Sequence, residues 1–196
     1  TTTEEITEAQ AIGLMIQHHY TGVPEHLTSH MLHALENHWD QSVVDHFVEL
    51  NDQAKTVCDI PNIKFEKNGV KVYCLEPGDP TALYIGELSG CCQHINDGGG
   101  DDAAIQSFTE PWCSVLMIES ANSGTLLAQS FLWTCQDKKY VVMDSVESVL
   151  ETTNQSVRNL VYPALCTWIK KMKEAGFKVA ISDATYGLTD TLRELF

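Results

Sequence analysis

Basic residues are scarce in this chain: 12 Lys and Arg stand against 27 Asp and Glu over 196 residues, a formal charge of −15. Affinity for nucleic acid comes largely from cations that neutralise phosphates, so this balance argues against a nucleic-acid partner. The densest basic group, Lys170-Lys171-Met172-Lys173, fits a helix-end charge pattern better than a binding patch. Long apolar runs are missing too. Nothing approaches the ~20 residues of a membrane helix, and no secretory signal pattern is visible, so no membrane partner is expected. The 7 cysteines, at 58, 74, 91, 92, 113, 135 and 166, are odd in number and include no CxxC pair. That spacing argues against a zinc site and against a disulfide framework, and it predicts free thiols in a cytoplasmic or other reducing intracellular compartment. Internal repeats are absent. No histidine follows His94.

What is present is a legible order of elements. CSVLMIES (113–120), TLLAQSFLW (125–133) and YVVMDSVES (140–148) are β-rich runs joined by short polar turns, which predicts an antiparallel meander. Apolar residues at Leu160, Val161, Ala164, Leu165, Trp168, Ile169 and Met172 then follow helical spacing over 157–175, ending in lysines and Gly176. Pro163 lies within this stretch, so the helix either starts near Tyr162 or bends. FKVAISD (177–183) is a strand again, and a helix of that length returns it parallel to 140–148 by a right-handed crossover.

The first third differs. Residues 3–20, 25–39 and 42–57 read as three amphipathic helices, and a boundary near residue 60 divides a helical segment, 1–60, from an α/β domain, 61–196. The helical segment offers a surface for a protein partner. Within it His26, His30 and His33 share one helix face with His38 nearby, but no carboxylate stands where an HExxH-type zinc site needs it, so no metal is assigned. After Cys58, 63–69 and 70–77 form a hairpin around Asn68-Gly69.

Two places carry possible chemistry. The apolar run from Ala82 to Gly86 predicts a strand that ends where a helix begins at Cys91-Cys92. A thiol at a helix N-terminus is stabilised as thiolate, which makes Cys91 or Cys92, and Cys92 in particular, a candidate nucleophile. Such enzymes need a histidine on a later strand; none exists here, and Gln129 or Ser130 stands where the base is wanted, which favours small residues packing a helix on a sheet. Asp144 and Glu147 interrupt the strand 140–148. A carboxylate held partly out of water serves as a general base; the bland reading is that the two cap the following loop.

From about Thr81 to Phe196 this order resembles the GNAT acyltransferase superfamily, an α+β arrangement in which an antiparallel meander is followed by a crossover helix and a parallel strand. The match runs through ALYIGELS as a strand, the Gly-rich 90–110 region, the meander, the helix 157–175, FKVAISD and the start of a last helix at 189–196. The resemblance implies transfer of an acyl group from acetyl-CoA or another acyl-CoA to a small-molecule or protein amine. It implies that acyl-CoA enters where the third meander strand splays from the parallel strand, beside Ser145 and Val146. It further implies Glu147 as base, Tyr186 as general acid, and the segment Asn154, Gln155, Ser156, Val157 and Arg158 against the pyrophosphate. The family's pyrophosphate loop is glycine-rich, whereas Glu151 to Arg158 contains no glycine and adds an acid. A non-catalytic binding or structural module is the alternative that this departure supports.

Overall fold

The computed structural model describes residues 46, 49–50, 52–95, 99–135, 139–148 and 155–182. The first two N-terminal helices, the histidines at 26, 30, 33 and 38, Asn154, Tyr186 and the last helix therefore lie outside the described residues, as do the side chains of Ser156, Val157 and Arg158. Of the third helix, expected over 42–57, residues 46, 49 and 50 are helical, but 52–57 are turn and irregular backbone, so that helix ends earlier than its apolar pattern predicts.

Six strands form one mixed sheet in sequence order: β1 (Phe65–Lys67), β2 (Val70–Cys74), β3 (Cys113–Ser120), β4 (Leu126–Thr134), β5 (Tyr140–Ser148) and β6 (Lys178–Ile181). The first five are antiparallel neighbours and β6 lies parallel to β5, as the run lengths and the crossover predict. The hairpin expectation also holds. Asn68 and Gly69 both take positive φ, 53° and 75°, the backbone of a type I′ turn that matches the right-handed twist of the flanking strands.

Helix α1 (Thr81–Ser89) corrects the strand expected at ALYIGELS. Ala82, Leu83, Tyr84 and Ile85, four consecutive positions around the helix, are all buried, so its apolar run looks in sequence like a core strand. Helix α2 (Asp101–Thr109) starts on two aspartates that favour the positive end of the helix dipole. The crossover helix α3 (Gln155–Glu174) runs continuously with Pro163 inside it. Pro163 and Asn159 are exposed, so the carbonyl that loses its partner faces water, and the early start of the helix wins over a start at Tyr162.

Both sheet faces are covered. On one, Val72, Leu116, Leu132, Val141 and Val146 pack against Leu165, Trp168 and Met172 of α3. On the other, Tyr73, Val115 and Met117 meet Leu83, Tyr84 and Ile85 of α1, Phe108 of α2, and Leu50. Lys55 is buried at the edge of this layer, its ammonium donating to the carbonyls of Ser107, at 2.6 Å, and of Cys113. Cys58 Sγ reaches the same Cys113 carbonyl at 3.4 Å. None of the seven cysteines is in a disulfide.

Burial pushes the thiols of Cys74 and Cys113 up to about 12 from 9.0, and it pushes the Lys55 ammonium down. Thiols raised in the folded state contribute stability that is complete below about pH 9 and lost as pH climbs toward 12, each with a slope of up to about 1.4 kcal/mol per pH unit. Lys55 acts in the opposite sense, because a depressed ammonium pKa makes the fold relatively more stable as pH rises toward 10.5. Denaturant unfolding from pH 8 to 11 should therefore show falling stability, flattened in the Cys74→Ala/Cys113→Ala double variant and steepened in Lys55→Met. A slope unchanged by these substitutions would remove the thiols from the account.

Candidate functional site

Helix α1 ends at Gly90, whose φ of 68° lets its N–H close on the Gly86 carbonyl. The chain then folds back along the same helix. Gly86 N–H donates to the Gln93 carbonyl at 3.0 Å, Cys91 N–H to the Gly86 carbonyl at 2.9 Å, and Ile95 N–H to the Leu83 carbonyl at 3.1 Å. The approach is possible because residue 86 has no side chain: a Cβ there would stand 2.6 Å from the Cys91 oxygen and 2.8 Å from Gln93 N. Gly100, at the start of α2, meets Cys92 in the same way, a Cβ falling 2.6 Å from its carbonyl oxygen.

This loop and the last residue of α1 set three polar side chains over β4. Gln129, fully buried at the centre of that strand, donates through Nε2 to Gln93 Oε1 at 2.9 Å, Ser89 Oγ at 3.3 Å and Cys91 Sγ at 3.4 Å. Its Oε1 is buried with no hydrogen-bond partner among the described residues. Gln129 pairs across the ladder with Glu147 on β5 and with Met117 on β3, and Met117 pairs with Tyr73 on β2. Directly opposed residues share a sheet face. Glu147, half-buried, thus stands on the face that carries the loop 91–95. Two residues along β3, buried Glu119 accepts a hydrogen bond from Tyr73 Oη at 2.8 Å and lies 3.9 Å from Lys71 Nζ. Burial, then the charge of Glu119, raises the Tyr73 phenol.

Strand β5 runs the length of this site. Its ladder to β6 runs from Tyr140↔Lys178 to Met143↔Ile181, and Ser182 N–H reaches the Met143 carbonyl at 2.8 Å. Beyond Met143 the strand continues to Ser148, paired to β4 through Val146, Glu147 and Ser148. Between Met143 and Val146 the register against β4 shifts, an irregularity that brings Ser130 Oγ within 3.4 Å of the Asp144 carbonyl. Such bulges re-aim side chains next to sites. Ser145 is buried, and Val146 packs its side chain into the α3-side core, which leaves it only backbone atoms to offer a ligand. Gln155 opens α3 exposed to solvent, and the first turn of that helix holds no acid.

The cysteines differ from expectation. No helix begins at them; they follow the C-terminal end of α1, where carbonyls rather than N–H groups are unpaired. Cys91 is half-buried, and burial raises its thiol, with Ser89 and Gln93 opposing and Glu147 adding to the rise. This is the reverse of an activated nucleophile. Cys92 is exposed, and no described histidine but His94 follows it in the chain. Sequence reasoning did not foresee Ser89 and Gln93 as partners of Gln129; the available signal was one amide inside the apolar run LLAQSFLW, since a buried amide must be bonded.

Replacing Gly86 by Ala should cost about 1–3 kcal/mol through overpacking against Cys91 and Gln93, although Ala is otherwise the better helix former. The same variant should speed alkylation of Cys91 toward that of exposed Cys92. A melting temperature at or above the wild type, with Cys91 still slow, would show that the loop does not rest on Gly86.

The strand order and pairing of this chain are GNAT-like. No family model and no curated protein matches the sequence. Among solved structures, the chain is similar to the ribosomal-protein-alanine N-acetyltransferase of Brucella melitensis biovar Abortus 2308, at 12% identity, TM-score 0.42, over 65% of this chain and 87% of that one. It is also similar to a probable acetyltransferase, at 11% identity, TM-score 0.37, over 59% of this chain and 78% of that one. Both superpositions are loose, and the description of the fold stands on this chain's own ladders.

Proposed function

We propose that this protein transfers an acyl group from an acyl-CoA, acetyl-CoA first among them, to an amine on a small molecule or a protein. The observation that carries the reading is the position of Glu147: a half-buried carboxylate on β5, past the last β5–β6 pair among the described residues, on the sheet face that the loop 91–95 overlies. Acyl-CoA supplies an electrophilic thioester carbonyl. Glu147 accepts the proton that the attacking amine releases as the C–N bond forms, and Tyr186, which follows β6 in the chain, returns a proton to the sulfur as the C–S bond breaks. Backbone N–H groups at the start of α3 meet the pyrophosphate, with Arg158 as the nearby cation. The first turn of α3 carries no acid to compete for those groups. Asn154, Gln155, Ser156 and Val157 complete that contact, and backbone atoms of Ser145 and Val146 flank the thioester arm.

The second reading, a binding module that keeps the fold without the chemistry, is favoured by one feature: residues 151–158 contain no glycine, so every backbone amide there approaches phosphate past a side chain. Calorimetry separates the two. Wild-type protein should bind acetyl-CoA, and Arg158→Ala should weaken binding about tenfold, since hydrogen bonds to charged groups contribute about 1.5–3 kcal/mol. Glu147→Gln should bind nearly as wild type and turn over far more slowly, because it loses only a proton acceptor. No heat with millimolar CoA would leave the binding module as the description of the chain.

A further inference from the structure

On the opposite side of the sheet from Glu147, and toward the far end of α3 from its first turn, the hairpin edge and the helix enclose an open groove of about 350 Å³ lined by Lys67, Cys166, Thr167, Lys170, Lys171 and Glu174. Two helical stripes build its wall, Cys166–Lys170–Glu174 and Thr167–Lys171, each at spacing i, i+4 that brings side chains together on one helix surface. Lys67 faces them from β1, whose place is set by the Asn68-Gly69 turn. Lys171 is steered into the groove by the ring of Phe65, 5.7 Å from its ammonium.

Four described lysines elsewhere are matched. Lys55 is spent on two carbonyls, Lys64 on the Glu76 carboxylate, Lys71 on Glu119, and Lys178 donates to Tyr140 Oη at 3.1 Å. In a chain of charge −15 with acids in excess, the groove brings three ammonium groups together against one carboxylate, Glu174, which lies 3.9 Å from Lys170. Lys67 and Lys171 have no carboxylate partner among the described residues. An anion placed in a groove lined by several ammonium groups is attracted by all of them, and a lysine ammonium serves phosphate as a point charge without needing a fixed fork.

We infer that this groove is a binding site for a dianionic phosphate group, separate from the acyl-transfer site, with Lys67, Lys170 and Lys171 as its cations. Its volume suits a phosphate ion or a small phosphate monoester, and Cys166 at its wall is a built-in reporter. The exposed thiols of Cys92 and Cys135 serve as internal controls.

The test follows alkylation of each cysteine by peptide mass spectrometry at low, constant ionic strength. Anionic iodoacetate should label Cys166 about threefold or more faster, relative to neutral iodoacetamide, than it labels Cys92 or Cys135, and the preference should vanish in Lys67→Gln/Lys171→Gln. Inorganic phosphate or glycerol phosphate, matched in ionic strength by chloride, should slow Cys166 alone. Protection by glycerol phosphate only would identify a monoester as the ligand, and equal protection by both would identify the phosphate group itself. Equal reagent preference at all three thiols, phosphate no better than chloride, protection that survives the double substitution, or protection by an oligoglutamate peptide alone would each overturn the proposal.

Discussion

The burial of α3 against one face of the sheet is the constraint on which the rest depends. Trp168, Leu165 and Met172 are fully buried there, and truncating such a side chain costs about 2–5 kcal/mol. Seating this helix fixes where the chain can return, so β6 lies parallel to β5 at the sheet edge. With α1 and α2 over the opposite face, strands β3 and β4 are buried on both sides, and any polar group within them must be answered by a bond. Gln129 is that group. The loop 91–95 is folded back on α1 at Gly86, and from there it supplies what the amide needs.

Much of the sheet is legible in the sequence, and for a physical reason. The runs 113–120 and 140–148 match β3 and β5 residue for residue because each ends at a polar turn that forbids continuation, while β4 slides by one residue because Thr125 can close the turn or open the strand. Helix α1 looks like a strand in the sequence because the consecutive buried residues Ala82 to Ile85 erase the periodicity that separates helix from strand. Pro163 was ambiguous because proline's cost depends on whether the freed carbonyl meets water, a tertiary fact that no local window contains.

The site divides the same way. Glu147 stands out in the sequence as an acid in an apolar strand, and in the structure it is half-buried opposite Gln129. The partners of Gln129 lie 36 to 40 residues earlier, across a helix and a strand, so nothing local announces them. The cysteines were read against a helix start, but the misassigned strand had the polarity reversed: they follow a helix end, where the local field does not favour a thiolate. Charge tells a related story, since a net count of −15 conceals a groove in which lysines outnumber acids.

The central claim is that the segment from Asp144 to Ser148, with the first turn of α3, receives the acyl donor. Amide hydrogen exchange with and without saturating acetyl-CoA tests it most directly. The account predicts slower exchange in 144–148 and in the first turn of α3, with β1 and β2 unchanged. Exchange unaltered in both segments, or slowed only around 65–67 and 166–174, would contradict it.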